Sequence, residues 1–418
     1  MSPAGWLIVV CLLAFGGDNL AWRQWGGPSR DFRAPATSLA ATWPEGGPPR
    51  LWSRALGAGH SAILYDGGRL FTMYRPNREG ANLSPASSDT GIEAVVCLDA
   101  TSGETVWEYR YEAQVVRLLQ FGDGPRSTPL IVGDLLFAVS RSGRLLALDK
   151  SDGSLAWQRE LWEAPFEGNP QAHGYSSSPI AHGGNVIVLA GGREASVIAF
   201  DQATGEIRWQ LPGFANSLSS PRILELAGRQ QLVAFMREAM IGADPATGEL
   251  LWSWPHANQW GHNITMPSVV DDIIFFSSPQ AGARGLRIIP TEDGLEVEQV
   301  WSSRRIQFYH AATVQRGDWV YGSTGTASPA FMTAVNLRTG EVPWRQRGIA
   351  KANCLEGDGR LLILDENGIL YLGQPTPEAL VILSQTQLLG RYSWTVPTLV
   401  GTTLYARDEQ QILAIDLG

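Results

Sequence analysis

One spacing recurs along this chain and constrains its fold more than any other feature. An Asp or Asn is followed by a Gly four residues later, and a Trp stands four residues after the Gly. The five full copies are Asp99/Gly103/Trp107, Asp149/Gly153/Trp157, Asp201/Gly205/Trp209, Asp244/Gly248/Trp252 and Asn336/Gly340/Trp344. A looser copy ends at Gly294 and Trp301. Successive Trp residues lie roughly 43 to 52 positions apart, which is the period of a four-stranded propeller blade.

The copy at residues 145–160 shows why the spacing predicts a β-hairpin. An apolar run ends at Asp149, whose carboxylate can accept hydrogen bonds from the next backbone N–H groups. Gly153 can adopt the positive φ that closes the turn, and a second strand then carries Trp157. Because the unit recurs, each repeat Trp is expected on such a strand. We also expect one domain of repeated hairpins rather than the two or three domains that 418 residues would allow.

A second pattern marks the start of each unit, where small or polar residues, often with Pro, lead into a short strand. Pro is tolerated there because the first residue of an inner strand need not donate to the sheet. The eight occurrences lie at 61–64, 128–130, 178–180, 220–222, 266–268, 311–313, 354–355 and 396–398. The chain is therefore predicted to be all-β, an eight-bladed β-propeller of four-stranded blades without a helix.

The two ends of the chain complement each other. Residues 395–418 supply three strands but no Trp strand, whereas the segment around Trp52 is a Trp strand without a preceding hairpin. We therefore expect this N-terminal strand to complete the last blade and close the ring, which removes open sheet edges. The predicted organisation is a signal peptide at 1–21, an extended arm at 22–49 that lies on the domain, and the propeller at 50–418.

Residues 5–15 form an apolar run that is short for a membrane span and is followed by small and polar residues. This layout predicts a cleaved signal peptide and export to the periplasm or cell envelope. An uncleaved membrane anchor is the alternative, and it would be the one contact of the protein with a membrane. Cys97 is expected to be a small buried hydrophobe, since pairing with Cys354 would require distant blades to meet.

The fullest copy of the repeat, residues 198–209 (IAFDQATGEIRW), resembles the tryptophan-docking repeat of the pyrroloquinoline quinone (PQQ) type of eight-bladed propellers. The resemblance covers nearly all of residues 50–418. In that family the repeat Trp packs its ring between neighbouring blades, so the resemblance implies a structural role for the repeat residues. Burial of each indole contributes roughly 2–3 kcal/mol, which is reason enough for the pattern.

The quinone dehydrogenases that this family resembles share a disulfide between adjacent cysteines, a Trp beneath the quinone, a calcium site and an Asp base. Here no two cysteines are adjacent, and no cluster of Asp, Glu and Asn has the spacing of hard-cation ligands. We therefore predict no catalytic residues, no metal site and no cofactor. A PQQ-dependent alcohol or sugar dehydrogenase, with PQQ and calcium in a divergent site, is the alternative.

The chain is also similar to the propeller proteins of the outer-membrane protein assembly machinery. That resemblance implies an exported, non-catalytic binding or scaffold module that binds a protein partner or a small-molecule ligand on one propeller face. A monomer is expected. The formal net charge of −9 argues against nucleic acid as a partner, because phosphate neutralisation requires clustered Lys and Arg.

A polar residue stands two positions before the Pro position of every unit. These residues are His60, Ser127, Ser177, Ser219, Thr265, His310, Asn353 and Thr395. They are predicted to form a ring near one mouth of the central channel, where they either cap the start of each inner strand or face a ligand. With their large neighbours, the candidate binding residues are His60, Arg126, Tyr175, His262, Asn263, Tyr309, His310, Asn353 and Trp394. A polar insertion at 75–93 is predicted to be a surface loop of blade one.

Overall fold

The computed structural model describes residues 20–35, 38–76, 91–113, 122–309, 312–325 and 330–418. In this part of the chain 33 strands form eight sheets, and each sheet is one blade of a closed ring. The predicted all-β, eight-bladed fold is confirmed, and these residues contain no helix that could cross a membrane. The predicted signal peptide lies outside the described residues up to residue 19, as do residues 77–90 of the insertion.

Blades one to six each consist of four antiparallel strands that run outward from the central channel, and blade seven contains four such strands and one further strand from the arm. The strands of blade one are β3 (Leu64–Asp66), β4 (Arg69–Tyr74), β5 (Gly91–Asp99) and β6 (Thr105–Ala113), those of blade two are β7 (Leu130–Val132), β8 (Leu135–Val139), β9 (Arg144–Asp149) and β10 (Leu155–Glu160), and those of blade three are β11 (Ile180–His182), β12 (Asn185–Leu189), β13 (Val197–Asp201) and β14 (Ile207–Leu211). Blade four contains β15 (Arg222–Leu226), β16 (Arg229–Phe235), β17 (Ala239–Ala243) and β18 (Leu250–Pro255), and blade five contains β19 (Ser268–Val270), β20 (Ile273–Ser278), β21 (Gly282–Thr291) and β22 (Gly294–Ser303). Blade six contains β23 (Val314–Arg316), β24 (Trp319–Thr324), β25 (Phe331–Asn336) and β26 (Arg345–Gln346), and blade seven contains β27 (Ala352–Gly357), β28 (Arg360–Asp365), β29 (Ile369–Pro375) and β30 (Leu380–Gln387).

Both chain ends build blade eight, as the sequence predicts. Its inner three strands are β31 (Thr398–Val400), β32 (Thr403–Arg407) and β33 (Gln411–Asp416), and its outer strand is β2 (Arg50–Ala55). Trp52 lies opposite Ala414 in the antiparallel β2–β33 pair. The Asp416 N–H donates to the Pro49 carbonyl at 2.9 Å, just as Asp149 N–H donates to Ser154 within the continuous hairpin of blade two. The hairpin geometry is thus preserved across the break in the chain.

The repeat residues connect each blade to the next. In blade two, Asp149 Oδ1 accepts the Ser151 N–H at 2.8 Å and Gly153 closes the turn with φ +77°. A Cβ on Gly153 would lie 2.5 Å from the ring of Trp107 in blade one, and the Trp107 indole N–H donates to the Lys150 carbonyl at 3.0 Å. Gly is therefore required both for its positive φ and for the close approach of the indole.

The other repeat glycines occupy equivalent turns, outside the strands. Gly103, Gly248 and Gly340 have φ of +74°, +77° and +73°. A Cβ on them would lie 2.7, 2.5 and 2.5 Å from an indole of the preceding blade. The indoles concerned are those of Trp52, Trp209 and Trp301 in that order. These glycines thus shape the packing between blades, and they present no side chain to a ligand.

Trp344 departs from the prediction that every repeat Trp lies on a strand. The outer strand of blade six, β26, begins only at Arg345, so the expectation of a strand through Trp344 is wrong. Pro343 precedes it and lacks the backbone N–H that an earlier pairing with β25 would use. The half-buried indole nevertheless reaches the following blade, because its N–H donates to the Thr376 carbonyl at 3.2 Å.

Trp252 differs from Trp107 in the hydrogen bond that its indole makes. Its indole N–H donates to Gln231 of its own blade rather than to a carbonyl of blade five. The looser turn at Gly294 explains the difference, since a Cβ on that residue would meet no atom within 4 Å. Trp52, Trp157 and Trp301 keep the usual bond to a backbone carbonyl of the following blade. The altered spacing in the sequence of blade five therefore has a direct structural counterpart.

The arm that precedes β2 does not merely lie on the domain but enters the central channel. Trp22 pairs with Tyr65 at the inner edge of blade one, and residues 24–32 then cross to blade seven. There β1 (Arg33–Ala34) pairs in parallel with Glu356 and Gly357 of β27, so blade seven has five strands. Trp22, Trp25, Phe32 and Leu39 are buried in the largest core cluster.

Candidate functional site

The two faces of the propeller differ in their connections. One face, called here the loop face, carries the connections between blades and the turns between the second and third strands of each blade. The opposite face, called the turn face, carries the tight turns between first and second strands and the Asp–Gly turns of the repeat. The arm closes the channel from the turn face, since it contacts Asp66 and Glu356 near the far ends of their strands. The predicted ring lies on the loop face.

The small polar residues at the start of the inner strands bond to neighbouring blades. The Ala62 N–H donates to Thr128 Oγ1 at 3.0 Å, and the Thr128 N–H donates to Ser178 Oγ at 3.0 Å. The Ser178 N–H donates in turn to Ser220 Oγ at 2.9 Å, so a belt of hydrogen bonds connects blades one to four. The acceptors of this belt stand one position after the ring residues Ser127, Ser177 and Ser219, so the capping interpretation of the ring itself stays a prediction.

The ring residues themselves differ in their bonds, since the buried Oγ atoms of Ser127 and Ser177 and Oγ1 of Thr395 have no hydrogen-bond partner among the described residues. Ser219 Oγ donates to the Thr265 carbonyl at 3.1 Å. Asn353, which lies within β27 rather than before it, donates to the Trp394 carbonyl at 2.7 Å. His310 lies outside the described residues. The proposed binding role of the ring stays a prediction.

Two of the large candidates point into the protein. The Tyr175 hydroxyl donates to the Ala190 carbonyl at 2.9 Å, and burial raises the pKa of this phenol. Asn263 is fully buried, and its Nδ2 donates to the Met236 carbonyl at 2.7 Å. Their polar groups are committed to backbone partners, so the structure offers neither side chain to a ligand at the channel mouth.

His60 and Trp394 do come together at the mouth, with a carboxylate that the sequence pattern did not indicate. The ring centroids of His60 and Trp394 are 5.3 Å apart, and His60 Nε2 lies 3.5 Å from Glu409 Oε1. Burial raises the pKa of Glu409. Gly122 packs so closely that a Cβ there would lie 2.0 Å from Glu409 Oε1. Glu409 lies in the connection between β32 and β33 of blade eight, where no recurring spacing in the sequence distinguishes it.

Arg126 contributes a largely buried positive charge to the same mouth. Burial and the charge of Arg141 lower the pKa of Arg126 to about 10. Burial, followed by the charge of Arg126, lowers the pKa of His173 to about 4, and the His173 and His262 ring centroids are 5.0 Å apart. Burial also raises the pKa of Tyr309. His173 is therefore neutral at pH 7, and no group of three or more metal-ligating side chains occurs in the described ranges.

A network of ion pairs lies beside this mouth. No sequence pattern indicated it, because its charged members lie in the blade-one insertion and in connections between strands. Arg75 Nη1 and Arg141 Nη1 contact the two oxygens of Asp123 at 2.8 and 3.0 Å. Arg75 also lies 3.6 Å from Glu93, whose carboxylate accepts the Tyr111 hydroxyl at 3.0 Å. Burial raises the pKa of Glu93. The arrangement fixes the base of the insertion to blades one and two.

The connection at 256–267 presents an exposed aromatic side chain on the loop face. Trp260 is 44% exposed, and Asn258 Oδ1 holds this loop by accepting the backbone N–H groups of Trp260 and His262 at 3.1 and 3.2 Å. The next residue, Gly261, lies against the exposed Arg237, whose Nε would be 2.7 Å from a Cβ at position 261. A fixed, exposed Trp beside an exposed Arg is typical of protein-binding surfaces.

Comparison with known proteins gives one family and relatives of two kinds. A family model described as outer membrane protein assembly factor BamB matches residues 17–158 and 91–346. The outer membrane protein assembly factor BamB of Yersinia pestis is 25% identical over 305 residues, which cover 68% of this chain and 72% of that protein. The quinohemoprotein alcohol dehydrogenase ADH IIB of Pseudomonas putida is 27% identical over 154 residues, which cover 34% of this chain and 22% of that protein.

A solved structure shows the same architecture. BamB from Moraxella catarrhalis aligns with a TM-score of 0.60 at 17% identity, covering 88% of this chain and 99% of that chain. At this identity the likeness shows the fold alone. It matches the ring of four-stranded blades described above.

Proposed function

The chain belongs to the family described as outer membrane protein assembly factor BamB, and from this premise we propose that it is a non-catalytic binding module of the cell envelope. It binds a partner protein through the loop face of the propeller. The name of the family supports both the envelope location and a role beside other proteins in outer-membrane protein assembly.

The observation that carries the proposal is the exposed Trp260 on a loop that the protein itself holds in place. An indole that is rigid before binding loses little conformational entropy when a partner covers it. Arg237 adds a cation at the same place, and the two residues come from different connections of blades four and five. The arm covers the channel on the turn face, which leaves the loop face as the surface where connections vary over a rigid scaffold.

The donor groups at the channel mouth do not fit the alternative, a quinone held with calcium. Calcium requires six to eight oxygen ligands, most of them carboxylates and carbonyls. The carboxylates described at this mouth are Asp123, Glu93 and Glu409, and each of them lies beside an Arg or His side chain. These contacts support a non-catalytic role.

A photo-crosslinking amino acid at position 260 tests the proposal in cells. We expect an adduct with a protein of the outer-membrane assembly machinery, and we expect Trp260→Ala to lower the amount of folded outer-membrane proteins. Position 250 is the matched control, because Leu250 is also 44% exposed but begins β18 next to the repeat turn on the turn face. Equal labelling from both positions, or no adduct at position 260, would refute the assignment of the loop face.

The quinone alternative has its own test. Purified protein is incubated with PQQ and calcium and assayed for a change in absorbance, a rise in melting temperature and dye reduction with simple alcohols or sugars. We expect no saturable stabilisation and no turnover. Turnover with saturable stabilisation would replace the proposed function with that of a PQQ-dependent dehydrogenase.

A further inference from the structure

The arm places an arginine deep inside the channel. Residues 24–32 form a loop that reaches from the turn face towards the start of β11, where Arg30 Nη1 donates to the Pro179 carbonyl at 3.0 Å. Gly26 and Gly27 bend this loop with positive φ, and Arg30 itself has φ +52°. An L-residue with a side chain adopts this region at an energetic cost, and such strain is concentrated at functional sites. The fold therefore holds Arg30 in a position that local backbone preference opposes.

The guanidinium of Arg30 is buried, and only one of its three nitrogens donates hydrogen bonds within the described residues. The residue is 4% exposed, and the hydrogen bonds of its guanidinium all come from Nη1, to Pro179 and, at 3.5 Å, to Gln24. Among the described residues, Nε and Nη2 of Arg30 have no acceptor. A buried polar group without a partner destabilises the folded protein, and a charged one does so more strongly. This edge of the guanidinium is therefore a strong site for an added acceptor.

The charges around Arg30 favour an anion. Arg222 begins β15 in the adjacent blade, and its Nη1 donates to the Pro267 carbonyl at 2.8 Å. Burial and the nearby charge of Arg222 lower the pKa of Arg30 to about 9, so Arg30 is charged at pH 7. Burial lowers the pKa of Arg222, and the charge of the Asp31 carboxylate opposes this lowering. Asp31 Oδ1 accepts the Arg33 backbone N–H at 3.2 Å. Two guanidinium groups give this part of the channel a local positive charge, which attracts an anion although the whole chain carries a net charge of −9.

Two buried hydroxyl groups precede the inner strands of blades two and three. Ser177 stands two residues before Pro179, and Ser127 has the equivalent position in blade two. Both side chains are at most 5% exposed, and neither Oγ has a hydrogen-bond partner among the residues that the structure describes. Both hydroxyl groups therefore precede the inner strands of blades two and three, and Arg30 contacts the start of the blade-three strand through Pro179.

We propose that the channel between the arm loop and the loop face binds a carboxylate group, which Arg30 holds through Nε–H and Nη2–H. These two N–H groups lie parallel on one edge of the planar guanidinium, and their spacing matches the two oxygens of a carboxylate. A halide has a single acceptor atom and cannot match both N–H groups as a carboxylate does, so we expect it to bind Arg30 more weakly. The site is separate from the exposed Trp260 surface and uses the arm as one wall.

Calorimetric titration with sodium acetate, against sodium chloride at the same ionic strength, tests the site in the full-length protein. We expect saturable acetate binding and a rise in melting temperature of about 2 °C or more at saturation. Arg30→Met should abolish both effects. Arg193→Met is the control, since the Arg193 side chain is 92% exposed, and it should bind acetate like the wild type. No acetate binding to the wild type, or unchanged binding to Arg30→Met, would overturn the proposal.

Arg30→Lys keeps the test valid if the methionine variant does not fold. Lysine retains the charge but lacks the parallel N–H pair, so we expect acetate affinity to fall roughly tenfold. Unchanged affinity in Arg30→Lys would show that the fork is not used.

The source of the carboxylate is resolved with Gly-Gly-Phe as the free acid and as the C-terminal amide. If the free acid binds in an Arg30-dependent manner and the amide does not, the carboxylate that the site takes is a peptide C-terminus. If acetate binds and neither tripeptide does, the site takes a small carboxylic acid. Binding of the amide as tightly as the acid would contradict carboxylate recognition.

Discussion

A Cβ on Gly205 would lie 2.6 Å from Cδ2 of Trp157, the indole that blade two presses against blade three. Gly205 also has φ +67°, which a residue with a Cβ adopts only with strain. Gly205→Ala therefore introduces overlap and strain together. We expect it to lower the free energy of unfolding by about 2–4 kcal/mol, measured by urea denaturation.

Gly183→Ala separates the two causes. Gly183 has φ +54°, but a Cβ there would meet no atom within 4 Å. This variant should cost only the backbone strain, about 1 kcal/mol. If Gly205→Ala and Gly183→Ala were equally destabilised, the indole contact would have no part in blade packing.

The indole N–H groups of Trp157 and Trp209 offer a second matched pair. Both residues are 8% exposed, but Trp157 donates to the Gln202 carbonyl at 2.9 Å whereas the buried Trp209 Nε1 has no partner in the described part of the chain. Substitution by Phe leaves the Gln202 carbonyl without its donor in one case and removes an unsatisfied donor in the other. We expect Trp157→Phe to be about 1 kcal/mol more destabilising than Trp209→Phe in urea denaturation. The reverse order would contradict the hydrogen-bond argument.

The blade number and the closure of the ring were predictable because the repeat encodes local chemistry. Asp149 accepts a backbone N–H of the turn, and Gly153 supplies the positive φ. The fixed sequence spacing between Gly153 and Trp157 sets the length of the hairpin. The strand of Trp52 could be assigned to blade eight because its missing hairpin partner stood at the other chain end. Trp344 shows the limit of such a spacing, since the pattern records the position of the indole but not the proline that delays its strand.

The channel and its mouth were less predictable because they depend on contacts between distant segments. Tyr175 was a candidate for the channel mouth, but its hydroxyl turns inward to the Ala190 carbonyl, which no local pattern shows. Glu409 and Asp123 lie in connections between strands, where no recurring spacing marks them. The course of the arm through the channel depends on acceptors such as the Pro179 carbonyl, about 150 residues later in the chain.

The pH dependence of stability should reveal the buried His256. Burial, followed by the charge of Arg284, lowers the pKa of His256 from 6.5 to about 4. The unfolded chain therefore binds a proton between pH 6.5 and 4 that the folded protein does not, so this stability is present above pH 6.5 and is lost as pH falls towards 4. His256→Gln keeps a group that can bond to Ser278 Oγ, which lies 2.9 Å from His256 Nε2. We expect the wild type to lose about 2–3 kcal/mol more than His256→Gln between pH 7 and 4 in urea denaturation. Parallel pH profiles would contradict a neutral buried histidine.

Phe32 should make the arm a cooperative part of the fold. Its ring is 2% exposed and meets Trp25 edge to face at a centroid distance of 5.2 Å, and its carbonyl accepts the Glu356 N–H at 2.8 Å. Phe32→Ala leaves a cavity in the channel, so we expect a loss of about 3 kcal/mol in the free energy of unfolding and faster proteolysis within the arm. Leu51→Ala is the control, because Leu51 is 54% exposed in β2 and should change stability by less than about 0.5 kcal/mol. Wild-type stability and protease resistance in Phe32→Ala would show that the arm rests on the propeller without stabilising it.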